Sequence, residues 1–260
     1  EKSRPAVLRL INIFEKAPFH FDRKTNFMAL VSDRYGFLEG CINTGKGKCI
    51  PEQDFRDHLE RVVLPYSQAS AYTHEGESYM VGSLARINLS KNSLNERTKK
   101  TLGPILDLFP STDIFRNNLA QAIEILHSVD DAIYILKNNT FQPEPIINKF
   151  DSSELSKLVS DEIKNPFRKA VGVGVIEAPR GTLYHKVEVG ENGIVQGGEI
   201  VVPTGQNQIN IEQDIWRLVD DLLPDTPKEK IAFEIEKLIR AYDPCLSCAA
   251  HFLKINWREG

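Results

Sequence analysis

Apolar residues recur along this chain at two spacings, and each spacing predicts a different kind of element. RPAVLRLINIFEKAPFHF keeps a helical period until Pro18 interrupts it, which predicts a short N-terminal helix. NFMALVSDRYGFLEGCINT is rich in strand formers around Asp33-Arg34 and predicts a hairpin. IPEQDFRDHLERVVLPYS places Phe55, Leu59 and Val62 on one helical face, with Pro51 near the start. GESYMVGSLARINL reads as strand and loop. The longest helical pattern runs from Ser111 to Leu136: Phe115, Leu119, Ile123, Leu126, Ile133 and Leu136 form one stripe, and Ser111 or Thr112 can cap it. A Pro-bearing loop, FQPEPI, and a weaker helix within DSSELSKLVSDEIK follow.

GVGVIEAPRGTLYHKVEVGENGIVQGGEIVVPT then predicts strand–turn–strand, with GENG at the turn. Two helices precede the last cysteines. The second begins TPKEKIAFEIEKLIRAY, where Thr226 and Glu229 have capping-box spacing, Pro227 is at the first helical position, and Ile231, Ile235, Leu238, Ile239 and Tyr242 give a buried face. The sum is a mainly α chain with small β-hairpin regions, an α+β arrangement in one domain without repeats.

Composition narrows the function classes. The 260 residues are 41% hydrophobic and 26% charged, as in ordinary globular proteins. A net charge of -4 gives no reason to expect nucleic acid or an anionic membrane as partner. No apolar run reaches the ~20 residues of a transmembrane helix, and no secretory leader pattern is present, so a cytoplasmic location is expected. The chain opens on Glu1 and is read as a piece of something longer.

The cysteines are Cys41, Cys49, Cys245 and Cys248. Four in this length do not make a disulfide framework, and C-x-x-C in such a setting points to metal or redox chemistry in a reducing cytosol. GCINTGKGK nearly matches a phosphate-binding loop, but Gly47 stands where a hydroxyl residue is needed and Pro51 follows, so it reads as a glycine-rich turn. Cys41 and Cys49 read as ordinary thiols. His20, His58, His74 and His127 stand apart; His127, beside the long apolar stripe, reads as a helix-packing residue. DPCLSCAAH differs in kind. Cys245 and Cys248, at i and i+3, can present two sulfurs to one metal or form a tight disulfide. Pro244 fixes the incoming backbone, and Asp243 can cap the new turn.

AYDPCLSCAAH resembles the C-terminal signature of the large, catalytic subunit of nickel–iron hydrogenases. EAPRGTLYH (177–185) and EIVVPTGQN (199–207) resemble two further segments of that family, in the expected order. GESYMVGSLARINL and NNLAQAIEILHSVDDAI resemble the middle of its cytosolic, multi-subunit members. The resemblance implies a helical-bundle core and reversible heterolysis of dihydrogen. It implies nickel, iron with carbon monoxide and cyanide ligands, and magnesium as cofactors. Cys245 would be a terminal nickel ligand and Cys248 a nickel–iron bridge. His251 and the Ile200 carbonyl would hold magnesium. Ala178, Pro179 and Pro203 would wall the diatomic ligands, while Thr204 and Arg180 donate to cyanide. Asp243 would pair with Arg180, and Cys245 or Arg180 would take the proton.

The family uses four thiolates, two of them from an R-x-C-x-x-C motif that this stretch lacks. The resemblance therefore implies the later part of a large subunit. Residues 1–251 would form that part, and 252–260, FLKINWREG, a propeptide-like tail. Implied partners are an iron–sulfur small subunit, nickel-insertion and iron-delivery maturation chaperones, and a C-terminal processing endopeptidase. Two rivals are weighed: a catalytically silent hydrogenase-like scaffold or maturation-partner protein that never receives nickel, and a C-x-x-C thiol oxidoreductase, against which the lack of a thioredoxin-like context around the cysteines counts.

Overall fold

The structure is a computed structural model, and it describes residues 1–141, 169–190 and 194–249. The expected helix within 151–164, most of FQPEPI, Glu191–Gly193 of the GENG turn, and His251 with the tail lie outside the described residues. In chain order the elements are α1 (Arg4–Glu15), β1 (Asn26–Phe27), β2 (Ala29–Val31), β3 (Cys41–Asn43), β4 (Cys49–Ile50), β5 (Glu60–Val62), β6 (Ala71–Thr73) and β7 (Tyr79–Met80). Then come α2 (Ser83–Ser90), α3 (Glu96–Leu102), α4 (Arg116–Asn138), β8 (Ala170–Ala178), β9 (Gly181–Val189), β10 (Val195–Val201), α5 (Pro203–Leu222) and α6 (Lys228–Ala241). The α+β expectation holds.

Two apolar clusters organise these elements. Val7, Ile11, Leu84, Ile87, Leu119, Ile123, Leu126, Leu238 and Tyr242 form the helical one. Met28, Leu30, Ile42, Ile50, Phe55, Tyr79, Val175, Tyr184 and Val201 form the second, on the sheet side, where Phe55 stacks on Tyr184 at 4.9 Å. Burying one such side chain contributes roughly 1.5–3 kcal/mol, so these clusters hold the elements that flank them. Strands β10, β9 and β8 form an antiparallel meander. Its β8–β9 turn is made by Pro179 and Arg180, one turn more than the sequence reading gave.

Several local expectations change, each for a physical reason. The long helix begins at Arg116 rather than near Ser111, because Asp113 Oδ1 accepts the Phe115 and Phe21 N–H groups at 3.0 and 3.1 Å and ties the lead-in down. Leu136 is exposed, so the stripe leaves the core near the helix end. Residues Glu52–Asp57 form a single 3-10 segment instead of a longer helix, since Glu60–Val62 is drawn into pairing with Ala71–Thr73. SLARINL is helix α2, not loop. Helix α6 starts at Lys228, and the Pro227 carbonyl takes the first amides without help from Thr226.

Strands β2 and β3 do pair as a hairpin, but residues 32–40 separate them and no tight turn sits at Asp33-Arg34. TGKGK closes the β3–β4 hairpin, with Gly45 and Gly47 both at φ 74°, the left-handed turn that glycine permits. That hairpin brings the Cys41 and Cys49 Cα atoms to 5.6 Å and bonds their sulfurs, so they are not separate thiols. His127 does pack helices: its Nε2 meets the Tyr35 carbonyl at 3.1 Å and its Nδ1 accepts the Asn95 N–H at 3.1 Å.

Candidate functional site

The turn of the EAPRG segment lies where the two apolar clusters meet. Gly181 (φ 133°) and Gly82 (φ 118°) let two backbones touch there: a Cβ on Gly181 would stand 2.4 Å from Val81 Cγ2, and one on Gly82 would stand 3.2 Å from the Arg180 carbonyl oxygen. Beneath the turn Arg86 of α2 is 1% exposed. Its Nε and Nη2 donate to the two Glu124 oxygens at 2.6 and 2.8 Å, and its Nη1 donates to Glu177 Oε2 at 2.6 Å. Nη1 also reaches the Ala178 carbonyl at 3.0 Å and Nη2 the Pro179 carbonyl at 3.1 Å. Tyr35 and Ser83 hydroxyls complete Glu124, each at 2.5 Å; the Leu30 N–H and the Thr182 hydroxyl complete Glu177, at 2.7 and 2.8 Å.

One guanidinium thus serves two buried carboxylates. Burial pushes the Glu124 carboxyl up, but the Arg86 charge and three side-chain donors outweigh it and hold it below the usual range. Glu177 receives the weaker share of Arg86, and burial pushes its carboxyl up. Burial, then the Glu124 charge, drive the Tyr35 hydroxyl well above its ordinary value, so it stays a donor.

Arg180 leaves the top of this turn toward the end of α6. Its Nε donates to the Asp243 carbonyl at 2.7 Å, and its Nη2 to Asp243 Oδ1 at 3.1 Å. Asp243 Oδ2 accepts from Gln121 Nε2 at 3.1 Å. Asp243 has φ 52° and donates its N–H to the Arg240 carbonyl, so it ends α6 in the left-handed conformation that short polar side chains tolerate. It does not cap the cysteine turn. That task falls to Thr204, whose Oγ1 accepts the Cys245 N–H at 3.1 Å. Thr204 and Pro203 are both buried at the start of α5.

Beyond Pro244 the chain makes one turn in which the Cys245 carbonyl accepts the Cys248 and Ala249 N–H groups, each at 3.2 Å. Cys245 and Cys248 lie with Cα atoms 5.3 Å apart and their sulfurs bonded; Cys245 is half-buried and Cys248 exposed. Gln208 Nε2 and Ser67 Oγ both donate to the Ala249 carbonyl. Gln208 Oε1 is buried, with no hydrogen-bond partner among the described residues. Cys248 and Ile200 line one cleft of about 510 Å³, together with Arg61, Tyr72, Glu199 and Val202. Ala178 is half-buried and Pro179 exposed.

A family model described as nickel-dependent hydrogenase matches residues 46–251. The chain belongs to that family. Sulfhydrogenase 1 subunit alpha of Pyrococcus furiosus is 31% identical over 223 residues, 86% of this chain and 48% of that protein. NAD-reducing hydrogenase HoxS subunit beta of Cupriavidus necator is 30% identical, over 77% of this chain and 40% of its own length. Among solved structures, an NAD+-reducing NiFe hydrogenase in the H2-reduced state superposes over 95% of this chain and 56% of its own, with TM-score 0.65 and 24% identity. A NiFeSe hydrogenase variant from Desulfovibrio vulgaris Hildenborough shares the fold at 19% identity, with TM-score 0.60 over 94% of this chain and 57% of its own. The chain spans about half the length of the curated relatives that it matches.

For a nickel-dependent family the donor set fits the metal in part. Two sulfurs on one turn would, once reduced to thiolates, be soft donors of the kind nickel and iron prefer. Among the described residues no cluster of three or more His, Cys, Asp or Glu stands ready for a metal. Of the residues singled out in the sequence, the structure brings Arg180 to Asp243 and Thr204 to Cys245, and Ile200 and Cys248 line one cleft. Sequence reasoning missed Arg86, Glu124 and Gln121. An arginine inside the otherwise apolar YMVGSLARINL was the available signal, because a charge in such a run is buried only when paired.

Proposed function

We propose that this chain forms the metal-holding part of the catalytic subunit of a nickel–iron hydrogenase, cleaving dihydrogen reversibly to protons and electrons. The observation that carries this reading is the convergence of three separated segments on one point: Arg180 bonds Asp243, and Thr204 bonds the amide of Cys245. Nickel, with iron carrying carbon monoxide and cyanide, would supply the redox centre at which dihydrogen is split. Cys245 and Cys248 would hold it as thiolates, once two electrons from a thiol reductant have opened the bond between their sulfurs.

Arg180 has two nitrogens fixed by Asp243, and among the described residues its Nη1 makes no hydrogen bond, so it is the group able to donate to a cyanide nitrogen. Thr204 accepts from Cys245 and keeps its own hydroxyl proton for the same purpose. Ala178, Pro179 and Pro203 supply apolar wall. Of the two candidates for the released proton, the Cys245 thiolate can take it directly, whereas Arg180, already a cation paired with Asp243, could do so only after giving one up. Ile200, beside Cys248 in the cleft, and His251 would hold magnesium. The chain's other cysteines bond each other on the β3–β4 hairpin, so electrons leave through an iron–sulfur small subunit.

The family match ends at His251, and nine residues follow it. We read 252–260 as a propeptide removed by an endopeptidase after the maturation chaperones deliver iron and nickel, and the whole as a cytoplasmic precursor. Among the described residues no helix is long and apolar enough to cross a membrane. Mass spectrometry of the active complex from its own cells should show a chain ending at His251; activity in a chain still bearing the tail contradicts the precursor reading. The rival, a silent scaffold, draws on these 260 residues supplying only one thiol pair at the site. Hydrogen-dependent dye reduction by the assembled complex separates the two. It should fall about 100-fold or more in Arg180→Lys, the scale for losing a preorganised donor. An assembled complex inactive as wild type leaves the scaffold reading.

A further inference from the structure

Arg180 can serve any site only if the turn that bears it points it correctly, and within Pro179-Arg180 only the proline φ is fixed by the residues themselves. We infer that Arg86 is the positioning residue of the site, setting through the Ala178 and Pro179 carbonyls the line along which Arg180 leaves the turn. The inference deepens the reading of Arg180 given above and rests on it.

Three features carry it. All three nitrogens of the Arg86 guanidinium are engaged, by two carboxylates on opposite sides and by the Ser83 hydroxyl, so the planar fork cannot rotate. Two of its contacts go not to charges but to the two successive carbonyls that lead into Arg180. Gly181, just after Arg180, sits against Val81 with no room for a side chain, so the turn is clamped from its other end as well. The two carboxylates take three of the five guanidinium hydrogens, and the remaining donors reach the Ala178 and Pro179 carbonyls of this turn. Lysine could balance the charge, but a single ammonium cannot span two carboxylates and two carbonyls at once.

The test reads Arg180 directly. In the chain labelled with 15N-arginine, the Arg180 Nε–H, which donates to Asp243, should be protected from solvent exchange. Arg86→Lys should raise its exchange about ten-fold, the loss of roughly one hydrogen bond's net stabilisation. Leu102→Ala, a core variant at the end of α3 with no contact to this turn, lowers Tm and should leave that exchange unchanged, which separates positioning from mere destabilisation. If Arg86→Lys does not fold, Ser83→Ala loosens the same fork by its smallest contact and should raise exchange two- to three-fold, about half a kcal/mol of hydrogen bonding. An Arg180 Nε–H that exchanges at the wild-type rate in whichever of these variants folds overturns the inference. Arg180→Lys in the assembled complex keeps the two readings apart: unchanged dye reduction there removes the role of Arg180 in turnover, while the exchange data still decide what Arg86 does.

Discussion

On one side of the Arg180–Asp243 pair lies the Arg86 cluster, buried and with every charged group bonded. On the other lies the cysteine turn, with Cys248 exposed and the segment held by the Thr204 and Ala249 contacts together with the Asp243 ion pair. The protein alone completes the first region. The second is anchored at its base, with its two sulfurs bonded to each other and Cys248 facing solvent. The division is between an arginine wall preorganised by folding and a cysteine turn held at its base, the one that the proposed reading assigns to the metal.

The largest effect that would break this contrast is loss of the buried cation. Arg86→Met leaves two carboxylates unpaired in the core and should cost about 3–5 kcal/mol in urea unfolding, whereas Leu246→Ala, in the exposed cysteine turn, should stay within about 0.5 kcal/mol. Equal losses would erase the distinction. Next comes Thr204→Val, which keeps the shape of a buried side chain and deletes the acceptor for Cys245. It should cost about 1 kcal/mol and speed hydrogen exchange of the Cys245 amide, with the Leu30 amide beside Glu177 unaffected.

The smallest effect sharpens the helical side. Burial holds the His127 imidazole below its ordinary value, and the ring is bonded at both nitrogens as the neutral form. Its contribution is therefore complete above about pH 6.5, where unfolded histidine titrates, and is lost as pH falls below that toward the folded value. A His127→Gln variant should show a shallower fall of Tm between neutral and mildly acid pH. A parallel fall in both proteins assigns that slope elsewhere.

Periodicity made α1, α4 and α6 legible, because each buries an apolar stripe. It could not show that α5 buries a polar one: Gln206, Asn207, Asn210 and Asp214 face inward and bond Thr182, Val81 and Tyr242. Such a face looks solvated in a sequence, since its partners lie far off in the chain. For the same reason the Cys41–Cys49 bond was invisible until a hairpin closed the gap, and α2, opening on Gly82-Ser83, did not announce itself as a helix. The candidate site residues could be singled out where a compact motif held them, as in EAPRG, VVPT and DPCLSCAAH. Arg86, Glu124 and Gln121 belong to no such motif and emerge only from tertiary contact.

The measurement that tests the central claim most directly is nickel content after gel filtration of the complex assembled in its own cells, compared between wild type and a Cys245→Ser/Cys248→Ser variant. The account predicts nickel co-migrating with the wild-type chain and absent from the variant, with both chains folded. Nickel retained by the serine variant, or none in a wild-type complex that is fully assembled, would contradict it.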